Sequence, residues 1–282
     1  MNKQVAVVGA GVMGRGIAYA FGKSNYQVYI TDINEDVLMQ AKAEIERLSD
    51  VSFNKGFISK DEQAAIKNNI KYGMNLQLAV KDADIVIEAV LEKMDIKIEV
   101  FKKLDQYCKV DTILATNTST MSPTEIAAQT SRPDRVIAMH FFNPVHKMKL
   151  IEVIKGLDTS KKTVDVIRQV TNHLQKEMIE VNEFPGFVTS RMNCLIGNEA
   201  MNMLMEGVAS AEDIDKAMKL GLNHPMGPLE LADLVGLDTR LRNLNYLYET
   251  LGEKFRPCPL LIKYVKSGRL GKKSGQGFYK YS

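Results

Sequence analysis

Tryptophan is absent from this chain, and cysteine is nearly so: Cys108, Cys194 and Cys258 stand far apart in 282 residues. An odd, scattered set excludes a secreted disulfide framework, and no two have the spacing of a metal-binding pair. Each is expected to be a small buried residue of a reduced, cytoplasmic protein, with no metal site. An excess of one charge is lacking too. Lys and Arg number 37 against 34 Asp and Glu, a balance that points away from nucleic acid and membrane surfaces as partners. A local basic patch for an anionic ligand stays compatible with it. No apolar run nears the ~20 residues of a membrane span. The short apolar run at the N-terminus passes straight into a glycine-rich turn, unlike a signal peptide. Internal repeats and low-complexity tracts are also missing.

What is present is ordinary globular composition, 45% hydrophobic and 25% charged, at a length that allows two domains. The first half alternates apolar strand-like runs at 4–9, 27–32, 84–90, 112–117 and 135–140 with helical patterns such as 12–23, 35–49 and 93–108. Near-continuous apolar strands separated by helices predict an α/β domain, a doubly wound parallel sheet covered on both faces. "KLIEVIKG" and "EMIEVN" extend it as later strands, a less regular edge. After "NEFPGF" strand signals nearly vanish, and helices follow from about 187 to 206, then shorter ones broken at Gly221, Gly236 and Gly252. The expected division is residues 1–184, a Rossmann-like dinucleotide-binding domain, and 185–282, an all-α domain.

"GAGVMG" places Gly9, Gly11 and Gly14 in the pattern G-x-G-x-x-G between a strand and a helix. The three glycines serve a tight turn, a close approach to a pyrophosphate, and packing of helix on strand. The helix N-terminus at Val12 and Met13 offers free N–H groups to the phosphates. Asp32, ending the second strand, can accept from ribose hydroxyls and repel a 2′-phosphate, which favours NAD over NADP. Its competing role is to cap the helix starting near Glu35.

Chemistry in such sheets gathers at the carboxyl ends of strands. "TILATNTST" delivers Asn117, Thr118 and Ser119 there, and "RVIAMH" delivers His140. In "LIEVI", alternation puts Glu152 among apolar neighbours, where a carboxylate needs a partner. A Glu152–His140 pair would suit alcohol oxidation, with His140 taking the hydroxyl proton, Glu152 fixing its tautomer and Ser119 bonding the reacting oxygen. A packed core histidine and a solvent-facing glutamate remain the alternative. Glu88, in an apolar strand, either reaches the cofactor region or serves a structural hydrogen bond. His146 and His173 are expected at the surface, and His224 in a turn joining helices.

"GAGVMGRGIA", "NTST", "HFFNPVHKMKLIEV", "PGFVTSR", "HPMGPLELADLVGLD" and "GKKSGQGFYKY", in this order and spacing across essentially the whole chain, resemble the 3-hydroxyacyl-CoA dehydrogenase family, and its stand-alone bacterial branch in particular. The resemblance implies NAD-dependent, reversible oxidation of a short (S)-3-hydroxyacyl-CoA, and a homodimer formed through the helical domain. It implies catalytic roles for His140, Glu152 and Ser119, and cofactor contacts from Gly9, Gly11, Val12, Met13, Gly14, Asp32, Glu92, Lys97, Asn117, Asn143 and Lys273. Acyl-CoA contacts would come from Ser119, Lys55, Asn143 and Ser190. Two departures stand out: Leu48 replaces a serine that touches CoA in some members, and Ser190 stands where many carry an active-site asparagine. Serine keeps hydrogen-bonding capacity with a shorter reach. A dehydrogenase of free 3-hydroxy acids or sugar acids, and a non-catalytic dinucleotide sensor, are the competing functions.

Overall fold

The computed structural model describes residues 3–281, which form two compact units meeting in sequence at Glu183 and Phe184. The first unit is a single eight-stranded sheet in the order β3-β2-β1-β4-β5-β6-β7-β8. Its strands are β1 (Gln4–Val8), β2 (Gln27–Thr31), β3 (Ile70–Gly73), β4 (Ile85–Glu88), β5 (Ile113–Thr116), β6 (Val136–Phe141), β7 (Leu150–Lys155) and β8 (Glu177–Asn182). The helices between them include α1 (Val12–Lys23), α2 (Glu35–Asn54), α3 (Lys60–Asn69), α4 (Leu76–Val80), α5 (Met94–Tyr107), α6 (Pro123–Ala127) and α7 (Lys161–His173).

Alternate residues of the central strands build two cores. Val5, Val7, Ile85, Ile87, Ile113, Ile137 and Met139 join Ile17, Phe21 and Ile167 from α1 and α7. Ala6, Val8, Val86, Leu114 and Val136 pack on the other face against Phe101 and Leu104 of α5. Burial on both faces is why these strands read as continuous apolar runs. The chain leaves β1 toward β2 on one side and resumes at β4 on the other, so β1 and β4 flank the switch point where such sheets bind ligands.

Two segments depart from the expected pattern. The 149–156 and 177–182 runs do form the less regular edge of the same sheet, and the irregularity is a change of direction. β7 reverses direction against β6, with His140 opposite Glu152, and β8 then pairs parallel to β7. Between Asn54 and Leu76 the structure adds α3 and the edge strand β3, which sequence periodicity left unassigned. α3 starts with a reciprocal capping box between Ser59 and Glu62, and β3 has one fully buried residue, Ile70, with Tyr72 half-buried beside it, too little for an apolar signature.

The second unit is helical: α8 (Thr189–Met205), α9 (Ala211–Gly221), α10 (Pro228–Val235), α11 (Leu237–Leu251) and α12 (Pro259–Lys266). α9 ends at Gly221, and Gly236 and Gly252 close α10 and α11 with φ of 98° and 81°, a region that favours glycine. Its core gathers Cys194, Met201, Leu229, Leu237, Leu244, Phe255 and Leu261. Two buried carboxylates hold the unit's C-terminal turn in place. Asp215 of α9 accepts from Leu229 N (2.8 Å) and Glu230 N (2.9 Å) at the start of α10 and from the Tyr279 hydroxyl (2.8 Å). Asp233 of α10 accepts from Phe278 N (3.0 Å), Tyr279 N (2.9 Å) and the Tyr281 hydroxyl (2.9 Å). A Cβ on Gly277 would fall 1.9 Å from Asp233 Oδ1. The motif "HPMGPLELADLVGLD" and the terminal "GQGFYKY" are therefore two halves of one fastening. All three cysteines are buried and unpaired.

Candidate active site

The glycine-rich turn leaves β1 with Gly9 at φ 101°, and a Cβ there would sit 2.6 Å from Ala89 O. Gly14 is as constrained: its Cβ would lie 1.7 Å from Gly9 O, so the first turn of α1 rests directly on the strand exit. Gly11 differs. A Cβ on it would meet nothing within 4 Å, and it caps α1 without a side-chain hydrogen bond. The protein has no steric need for glycine at position 11, so the open space suits a group from outside the chain. The N–H groups of Val12 and Met13 have no place in the helical ladder and face that space. A pyrophosphate fits this cradle.

Asp32 follows β2. Its Oδ2 accepts from Ala10 N at 2.8 Å and its Oδ1 from Asn34 N at 3.0 Å, which fixes the half-buried carboxylate beside the turn. The cap of α2 is Asn34, whose side chain accepts from Asp36 N and Val37 N. The capping role considered for Asp32 therefore falls away.

At the ends of β4 and β5 lies a network of charges. Glu88, the last residue of β4, is fully buried and accepts from Lys97 Nζ (2.8 Å), the Thr116 hydroxyl (2.7 Å) and Val90 N (2.7 Å). Lys97, on α5 and 1% exposed, also reaches Glu92 Oε2 at 3.1 Å. Glu92 Oε1 accepts from the Thr118 hydroxyl (2.6 Å), Ser119 N (2.8 Å) and the Ser119 hydroxyl (3.3 Å). Burial opposes charge on Glu92, but Lys97 and the bonds from Thr118 and Ser119 outweigh it and hold its carboxyl below the ordinary range. Burial likewise opposes charge on Lys97, and the two carboxylates reverse that, raising its pKa. Glu92 and Lys97 were both expected to touch a cofactor. Glu92 keeps 22% of its side chain exposed, whereas the Lys97 ammonium is committed to two carboxylates. Glu88 takes the structural alternative considered for it, with three partners.

One strand over, Asn117 Oδ1 accepts from Phe141 N at 3.0 Å, tying the exit of β5 to that of β6. This brings the "NTST" loop beside His140. His140 Nδ1 and Glu152 Oε2 are 2.7 Å apart, with the carboxylate fully buried and the histidine 8% exposed. An ionised carboxylate only accepts, so the proton between them belongs to Nδ1, and in the neutral ring Nε2 keeps its lone pair. The ring packs 4.5 Å from that of Phe142, between centroids. Antiparallel pairing makes this contact: residues twelve apart become direct cross-strand neighbours.

Other expected positions are spread more widely. Asn143 is exposed on the loop after β6. Lys55, exposed at the end of α2, lines a cavity of about 1110 Å³ together with Leu48, Lys23, Lys147, Lys149 and Lys176. Sequence spacing did not group these lysines, because four separate segments converge to form the wall. Lys176 donates to Val145 O (2.7 Å) and Met148 O (2.6 Å), which pins the loop; burial and Lys23 push its pKa down. His146 is exposed, and His173 at the surface meets Ser24 O at 3.0 Å. Ser190 and Lys273 belong to the helical unit, Ser190 in the first turn of α8 and Lys273 2.5 Å from Asp238 Oδ1.

Residues 4–184 match the family profile for the 3-hydroxyacyl-CoA dehydrogenase NAD binding domain, and residues 186–281 match that for its C-terminal domain. A probable 3-hydroxybutyryl-CoA dehydrogenase of Bacillus subtilis is 49% identical over 280 residues, covering 99% of this chain and 97% of that one. The 3-hydroxybutyryl-CoA dehydrogenase of Clostridioides difficile is 45% identical, covering 99% of both. The crystal structure of (S)-3-hydroxybutyryl-CoA dehydrogenase from Ralstonia eutropha superposes with a TM-score of 0.94 at 42% identity, covering 100% of both chains.

Proposed function

This chain belongs to the 3-hydroxyacyl-CoA dehydrogenase family, and on that premise we propose that His140, Glu152 and Ser119 carry its reaction. The protein is an NAD-dependent oxidoreductase that interconverts an (S)-3-hydroxyacyl-CoA and the 3-oxoacyl-CoA. NAD supplies the hydride acceptor. Gly9, Gly11, Gly14, Val12 and Met13 hold its pyrophosphate, Asp32 its ribose, and Glu92 and Asn117 border the loop that faces it. Lys97 acts by holding Glu92.

His140 takes the hydroxyl proton on Nε2 as hydride leaves the adjacent carbon. The resulting imidazolium is stabilised by Glu152, which is already bonded to Nδ1. Ser119 hydrogen-bonds the reacting oxygen. In the reverse direction His140 returns the proton to the 3-oxo group. The observation that carries this reading is the 2.7 Å contact between His140 Nδ1 and a carboxylate with no exposed surface. A carboxylate buried within a strand is a costly way to fix a merely structural histidine, and a protein that only binds dinucleotide needs no base.

The basic cavity at Lys55 supports CoA phosphates as the distal contact, with Asn143 on the loop toward the acyl end. The names of the relatives favour a four-carbon acyl group. For Ser190 and Lys273, contact with substrate and cofactor rests on the family resemblance. A homodimer through the helical unit is supported by apolar residues left exposed on it, Met192 at 55% and Met205 at 45% among them. Three unpaired cysteines support a reducing, cytoplasmic setting. None of the described helices is long and apolar enough to cross a membrane.

The test follows NADH formation with (S)-3-hydroxybutyryl-CoA, its (R) enantiomer and free 3-hydroxybutyrate. Turnover of the (S) thioester far above the other two is expected. Equal efficiency with the free acid would move the assignment to a hydroxy-acid dehydrogenase on the same scaffold, and nucleotide binding without turnover of any thioester would leave a sensor.

A further inference from the structure

Glu88, Lys97 and Glu92 form a chain of three ionisable side chains, each within 3.1 Å of the next. One ammonium is shared by two carboxylates, so the group carries a net charge of minus one. Its inner end is sealed: Glu88 has no exposed surface, and its bonds to Thr116, Val90 N and Lys97 fix both of its oxygens. Its outer end, Glu92, is bonded to Ser119 through both backbone and hydroxyl.

Hydride transfer requires the nicotinamide ring in contact with the carbon that Ser119 and His140 hold, which places the ring beside Glu92. The oxidised nicotinamide is a cation and the reduced ring is neutral. A net negative charge in surroundings of low dielectric therefore stabilises one redox state of the cofactor and is nearly indifferent to the other.

We propose that Glu88 is a positioning residue that sets the cofactor's redox-state preference: by taking up the Lys97 charge from behind, it leaves Glu92 effectively uncompensated toward NAD+. Without Glu88, Lys97 and Glu92 make a neutral pair, and the site loses its preference for the cationic ring. Lys97 is thus a relay between a buried anchor and the outer, half-buried carboxylate of Glu92. This rests on the reading of Ser119 and His140 as the place of hydride transfer.

Binding of each nucleotide to the whole enzyme in the absence of substrate tests it. NADH is followed by its fluorescence and NAD+ by displacement of NADH. The quantity read is the ratio of the two dissociation constants. Glu88→Gln, which keeps the shape and removes one charge, is expected to weaken NAD+ on the order of tenfold relative to NADH, the scale of one unit charge acting across a partly buried site. A purely structural role for Glu88 would weaken both nucleotides alike and leave the ratio unchanged, and that result overturns the proposal. Should Glu88→Gln fold poorly, the double variant Glu88→Gln/Lys97→Met removes the buried pair together and returns the net charge to minus one on Glu92 alone. Its ratio is expected to return to that of the wild type, and a ratio in the double variant shifted tenfold against NAD+ contradicts the proposal. The underlying site reading fails separately: if His140 is not the base, turnover survives its replacement, whereas the ratio needs no substrate.

Discussion

Both units of this protein bury carboxylates among apolar side chains, and the company each keeps is different. In the helical unit Asp215 and Asp233 accept from backbone N–H groups and tyrosine hydroxyls. Those donors do not titrate near neutral pH, so the bonds can only fix the chain. In the sheet unit Glu152 meets a histidine, and Glu88 and Glu92 meet a lysine. These partners are nitrogen bases that carry or can take up a positive charge, and all three carboxylates stand at or beside the strand ends where a ligand would sit. Buried acid alone does not mark a candidate site; a basic nitrogen as partner, together with its place in the sheet, does.

The largest effect that would test this contrast is on rate. Glu152→Gln should lower turnover by ~10²–10⁴-fold while unfolding at nearly the wild-type temperature, since the amide keeps the packing but no longer stabilises the imidazolium. Steady-state kinetics beside a thermal melt check both halves. In the helical unit Asp233→Asn should do the reverse, costing about 1–3 kcal/mol of stability with turnover per folded molecule retained. Denaturant titration measures the first and active-site-normalised kinetics the second; a collapse of turnover at full stability would erase the distinction. A smaller change is expected at the distal cavity. Lys55→Ala should raise KM for the CoA thioester roughly two- to fivefold at low salt, leaving kcat and the KM for NAD where they were.

The smallest effect concerns pH, and there the two regions have opposite signs. The Glu92 carboxyl is held below its ordinary value of 4.5, so in acid the unfolded chain binds more protons than the folded one. Its contribution is complete above that value and is lost as the pH falls through the folded pKa. Burial raises the Asp233 carboxyl above its ordinary 3.8, assisted by Asp215, so its contribution is complete below that value and declines as the pH rises through the folded pKa. Glu92→Gln should flatten the acid limb of stability against pH, and Asp233→Asn should remove a loss on the rising side. Denaturant melts across the acid range compare them; identical limbs in all three proteins would contradict both shifts.

Much of the sheet unit was legible because its chemistry is local in sequence. "GAGVMG" sits between a strand and a helix, and strand alternation by itself makes Glu152 an anomaly that needs a partner. The reversal of β7, which turns that need into a contact, was not legible, since sequence patterns carry no strand direction. The anchoring of Lys97 by Glu88 was half legible: the acid stood out in "IVIEAV", but its partner lies on the next helix. β3 and α3 escaped because a four-residue strand with one fully buried residue and a helix of low apolar content give no periodic signal. The lysines lining the cavity come from α1, the end of α2, the loop before β7 and the turn before β8, joined only by folding. In the helical unit Asp215 and Asp233 were invisible as a fastening, because their donors lie up to 64 residues away.

The most direct test of the central claim is the rate of NADH formation from (S)-3-hydroxybutyryl-CoA by His140→Gln, measured together with its affinity for NAD. Turnover is expected to fall by ~10³-fold or more with NAD bound as tightly as by the wild type. A variant that binds NAD and turns over at the wild-type rate would show that His140, for all its burial against Glu152, is not the base.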